Sequence, residues 1–163
     1  MWERLQRFKA LDAAARGLFL RASALLPLIS VGLVVRGFGA TRAALQRFLP
    51  SQNQATAQPV HPDNGEVSRT ARMVRAAAHF SPRRFTCLEK SLALWWLLGR
   101  QGIASTVRIG TRKKEGNFEA HAWVECGGVA FDEQEEPRQR YAPFEEVFPV
   151  PSSQIPSSHT NLL

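Results

Sequence analysis

The chain has 163 residues, 44% of them hydrophobic and 21% charged, an ordinary balance for a soluble domain and enough length to bury one core. A net charge of +7 and a pI near 10.4 invite a nucleic-acid reading; with no long Lys/Arg run and no zinc- or RNA-binding motif, a solvated basic surface or attraction for an acidic partner is expected instead. Two cysteines exclude a disulfide framework, and the chain reads as cytoplasmic.

Residues 1–49 read as an N-terminal helical region. Its stretch Ala22 to Val35 is apolar, bounded by Arg21 and Arg36 and interrupted by Pro27 and Gly32. A bilayer span takes about 20 apolar residues, so this stretch is expected not to cross one. It also lies too far in, behind an amphipathic segment, for an ordinary signal peptide. Leu18, Leu25, Ile29 and Leu33 form a stripe at near-helical spacing. Three readings stay open for it: a buried helix of the core, a docking surface for a partner, and an interfacial membrane contact, the last being the least expected.

Residues 50–65, rich in Pro, Asn and Gln, read as a linker or loop, and His61 beside a proline is not expected to do chemistry. Residues 66–150 are expected to form the main domain. Its first helix, EVSRTARMVRAAAHF, places Val67, Ala71, Val74 and Ala78 on one stripe and stops before Ser81-Pro82. His79, at its end, is expected at the surface.

The next segment, TCLEKSLALWWLLGRQG, carries strong helix signals. Thr86 is a good N-cap, Glu89 three residues on completes a capping box, and Gly102 supplies the stop. Cys87 therefore falls in the first turn, where unpaired N–H groups and the positive end of the helix dipole favour a thiolate. Apolar residues on both sides, with Trp95 and Trp96 among them, predict a helix buried nearly all round.

Ser105 to Thr111 reads as a strand and Arg112 to Asn117 as a charged loop. EAHAWVECGGVAFDE then reads as a hairpin turning at Gly127-Gly128. That turn pairs Cys126 with Val129, Val124 with Phe131, and Trp123 with Asp132. Alternation puts His121, Trp123, Glu125 and Asp132 on one face, with His121 and Asp132 diagonal neighbours. Cys126 falls on the other face as a small buried hydrophobe. After Asp132, a loop and a short element through Phe148 are expected to cover the core. Residues 151–163 read as a loosely held tail in which His159 does no chemistry.

Cys87, His121 and Asp132 thus stand in the order nucleophile, base and orienting carboxylate. The segment 85–132, in CLEKSLALWWLLGRQGI, VRIGTRK and above all Ala120-His121-Ala122-Trp123-Val124-Glu125, resembles the transglutaminase-like cysteine peptidases of lasso-peptide biosynthesis, the B2 type of the B protein. The resemblance implies a papain- or transglutaminase-like α+β fold, N-terminal helices followed by a catalytic helix packed on an antiparallel sheet. It also implies a Cys87–His121–Asp132 triad, without metal or cofactor, that removes the leader from a ribosomally made precursor peptide. The implied partners are that precursor, a separate B1-type leader-recognition protein for which residues 1–49 are a docking candidate, and the lasso cyclase; nucleic acid is not among them. Two other activities stay open: acyl transfer by the same triad, and non-catalytic peptide binding.

Overall fold

In a computed structural model, residues 12–49, 65–114, 117–131 and 142–143 are described. Asp12 caps the first helix by accepting the Ala15 N–H at Oδ1 (2.6 Å). This helix, α1 (Ala13–Arg47), is two helical arms meeting at Gly37, whose φ of 74° and ψ of 178° break the helical path. Glycine adopts such angles without a Cβ clash. The second arm folds back so closely that a Cβ on Gly32 would lie 3.0 Å from the Thr41 side chain.

Two details of α1 depart from the sequence reading. Pro27, read as an interruption, sits inside the first arm, carried through by the buried Ala22, Leu25, Leu26 and Ile29 around it. The apolar stretch is also not limited to Ala22–Val35. Its two arms counted together, the 35-residue element that carries it is long and apolar enough to cross a membrane by length and composition, with only 28% of its apolar window buried. Length therefore does not exclude a span as the sequence reading held.

Helix α2 (Gly65–Phe80) buries Val67, Thr70, Ala71, Met73, Val74 and Ala77. This is the expected stripe with its last position one residue earlier. Helix α3 (Cys87–Arg100) occupies the centre, burying Leu92, Ala93, Leu94, Trp95, Leu97 and Leu98 on all sides. These residues join α1 and α2 in one core that includes Val124 and Cys126 of the sheet. The second arm of α1 is tied to the far end of α3, where Trp96 Nε1 and Arg100 Nη1 donate to the carbonyls of Leu45 and Phe48, each at 3.0 Å.

Strands β1 (Thr106–Lys114), β2 (Asn117–Cys126), β3 (Val129–Phe131) and β4 (Ala142–Pro143) form an antiparallel sheet in the order β3-β2-β1-β4. The β2–β3 register is the one the sequence predicts, Cys126 opposite Val129 and Val124 opposite Phe131. Gly127 and Gly128 both take positive φ, 55° and 84°, as a primed two-residue turn demands. The charged loop expected from Arg112 to Asn117 is instead mostly strand. Lys114 pairs with Asn117, and an Arg112–Glu119 ion pair at 2.6 Å crosses the ladder. A cross-strand charge pair stabilises extended backbone that composition alone assigns to a loop. Among the described residues the architecture is the expected α+β arrangement, three helices over a small antiparallel sheet.

Candidate active site

Cys87 is placed by its own helix start. Thr86 Oγ1 accepts the Glu89 N–H (3.3 Å), while Glu89 Oε2 accepts the Thr86 N–H (2.6 Å), closing the capping box. Burial raises the pKa of the Glu89 carboxyl, but the Ser30 hydroxyl buried nearby, the two Thr86 donors and Arg83 at 3.8 Å outweigh it, holding that pKa below its ordinary value. The first turn of α3 is thereby anchored to an ionised, almost fully buried carboxylate.

Cys87 itself is half-buried and lines a small cavity of about 30 Å³ with Arg75, Lys90, Ser91, Leu94 and Phe131. Ser91, one turn further on, donates its hydroxyl to the Ala122 carbonyl at 3.0 Å. That bond ties the first two turns of α3 to β2 at the residue next to His121. A helix start that exposes N–H groups, a partly accessible thiol and a neighbouring histidine strand are the parts that thiol chemistry at a carbonyl uses.

His121 lies across from Gly110 of β1. By alternation its side chain points to the face opposite Ala122, Val124 and Cys126, and there its ring stacks on Trp123 with centroids 6.3 Å apart and planes 21° from parallel. The cavity beside Cys87 opens toward Phe131, on the helix-facing side. The cavity beside Cys87 thus lies on the α3 side of β2, and the His121 ring, with Trp123, lies on its other side, at a point of the strand where the pairing with β3 has ended at Val124. Asp132, the residue after β3, lies outside the described residues, as do His61 and His159. His79 is exposed at the end of α2, against the Phe80 ring.

The face of His121 carries a polar network that sequence reasoning missed. Trp123, fully buried, donates Nε1–H to Glu125 Oε1 (2.9 Å), and Arg108 Nε donates to Glu125 Oε2 (3.1 Å). Arg108 stands directly opposite Trp123 in the β1–β2 register, so pairing the two strands on paper would have found it. Cys126, in contrast, is buried among apolar groups, which pushes its thiol pKa up to about 11. It is neutral at physiological pH and inert toward electrophiles. Among the described residues there is no group of three His, Cys, Asp or Glu side chains that could hold a metal.

No curated protein and no solved structure matches the chain. The family model described as the transglutaminase-like superfamily does match, over residues 28–146, a span that takes in α1 from Leu28 onward, all of α2 and α3, and the whole described sheet. Such a match fits an enzyme of the cysteine peptidase or transglutaminase type, and the chain belongs to the transglutaminase-like superfamily.

Proposed function

We propose that the chain is a cysteine peptidase that removes the leader from a ribosomally synthesised lasso precursor peptide, freeing the core's amino terminus for macrolactam closure. The observation that carries this reading is the Ser91–Ala122 bond, which holds the Cys87 turn against the His121 strand. It is supported by the Ala120–Glu125 motif and by membership of a superfamily that includes cysteine peptidases.

In this mechanism His121 accepts the Cys87 proton as Sγ attacks the carbonyl carbon at the leader–core junction. The Cys87 backbone N–H, free at the helix start, donates to the oxyanion. The imidazolium returns the proton to the departing amine, leaving the leader as a thioester on Sγ, and water then hydrolyses that thioester. Asp132 fixes the imidazole tautomer. In this mechanism the imidazole reaches Sγ across the edge of β2 beyond the end of β3, and the hydrogen bond between them forms when the peptide fills the site. A B1-type recognition protein delivers the precursor, and the ATP-using lasso cyclase consumes the product.

The test is mass spectrometry of a candidate precursor incubated with its recognition protein and either the parent chain or Cys87→Ala. Cleavage at one junction by the parent, reduced roughly 10³-fold or more in the variant, is the expected outcome. Equal cleavage by both would remove Cys87 from the mechanism. Transfer of the acyl group to an added amine in preference to water would instead assign the same site to acyl transfer.

A further inference from the structure

We propose that the outer face of α1 is a docking surface for an anionic phospholipid bilayer, on which the first arm lies flat rather than crossing. Leu20, Leu28, Val31, Val34 and Val35 are 58–79% exposed. At 3.6 residues per turn they fall within one arc of about 120°, along a stripe about 22 Å long. Ala22, Leu25, Leu26 and Ile29 occupy the opposite arc and are buried in the core. An exposed, continuous aliphatic stripe of this size marks an interaction site rather than ordinary surface.

Charge and composition identify the occupant. Residues 13–47 contain five arginines, at positions 16, 21, 36, 42 and 47, and no Asp or Glu. Arg21 at one end of the stripe and Arg36 at the other are exposed, so an apolar strip is closed by cations at both ends. Protein–protein hot spots favour Trp, Tyr and Arg in their centres and use Leu and Val sparingly. The stripe has aliphatic side chains at its centre and arginine only at its rim, the arrangement that suits acyl chains beneath a layer of phosphates.

Beside the stripe, an apolar groove of about 550 Å³ opens between the two arms of α1 and α3, lined by Leu28, Val31, Val35, Phe48 and Trp96, with Arg36 on its wall. It offers room for an acyl chain next to a guanidinium for its phosphate. The in-plane orientation follows from the buried face: drawing the first arm through a bilayer would strip Leu26 and Ile29 from the core. This runs against the sequence reading, which ranked a membrane contact last.

The experiment is co-sedimentation of the full chain with vesicles of phosphatidylglycerol and phosphatidylcholine, or of phosphatidylcholine alone. Binding to the anionic vesicles, at least about tenfold weaker on the neutral ones and weakened by salt, is expected. Arg21→Gln and Arg36→Gln each lower the partition coefficient roughly fivefold. Val31→Ser with Val35→Ser, both at exposed positions, abolishes binding while leaving the circular-dichroism melt unchanged; should that pair disturb folding, the arginine variants decide alone. Equal binding by parent and variants, or a parent that ignores both vesicles, overturns the proposal. So does a parent that ignores vesicles but dimerises, or binds the recognition protein, through the same two valines.

Discussion

Helix α3 and the first arm of α1 are both strongly apolar, yet the protein treats them differently. Leu92 and Leu98 of α3 lie about 120° apart around the axis and both have no exposure, because α1, α2 and the sheet surround that helix. In α1, Leu26 has none while Leu28, two residues on, is 69% exposed. Composition cannot separate these cases, since it records how apolar a helix is and not how many neighbours its fold supplies. The comparison also separates two kinds of work. The buried helix holds Cys87 at a fixed end of the sheet, and the half-covered helix presents a surface.

The sharpest way to break this contrast is to truncate a side chain in α3. Leu92→Ala removes a fully buried side chain from the shared core and is expected to destabilise the protein by about 2–5 kcal/mol in a urea titration. A loss under about 1 kcal/mol would mean that α3 is not the central packing element.

The two faces of β2 offer a second contrast, apolar toward α3 and polar toward His121. Glu125→Ala leaves the Arg108 guanidinium and the Trp123 N–H without their carboxylate and is expected to cost about 3 kcal/mol, less than the upper range for core truncation. It also frees the indole on which His121 stacks. Peptide cleavage should therefore fall further than the lost folded fraction explains, and restoration of activity by Glu125→Gln, which keeps an acceptor for Trp123, would localise the effect to the indole.

Smaller again is the effect at the start of α3. Thr86→Ala removes one cap and is expected to cost about 1 kcal/mol. Its partner Glu89 adds a pH dependence. Its pKa is lowered in the folded state, so its contribution is fully present above its ordinary value of 4.5 and is lost as pH falls through the lower folded value. The urea midpoint of the parent should drop with acid over that window, and Glu89→Gln should flatten the profile there.

What the sequence made legible follows from how local each signal is. The Thr86–Glu89 box and the Gly127-Gly128 turn are complete within a few residues, so the start of α3 and the β2–β3 register could be read directly, and with them the separation of Cys87 from Cys126. The fold-back at Gly37 depends on Gly32 meeting Thr41, and the full length of β1 depends on Arg112 meeting Glu119; both are contacts between segments that composition treats separately. The Arg108–Glu125–Trp123 network needed the β1–β2 register, which no turn chemistry announces. Of the three expected site residues, Cys87 and His121 fall on the elements predicted for them, and Asp132 lies beyond the described residues.

The smallest effect tests the contrast from its other side. Val34 sits on α1 at 79% exposure. Placing a hydroxyl there buries no polar group and opens no cavity, because the side chain already faces solvent. The only local cost of Val34→Ser is a modest change in helix propensity, so stability should move by less than about 0.5 kcal/mol. Set beside Leu92→Ala, that gives two apolar helix positions whose stability costs differ severalfold for reasons of coverage alone. If Val34→Ser proved as damaging as the core truncation, the outer face of α1 would be packed against something in solution, and the midpoint's dependence on protein concentration would show whether that something is a second copy of the chain.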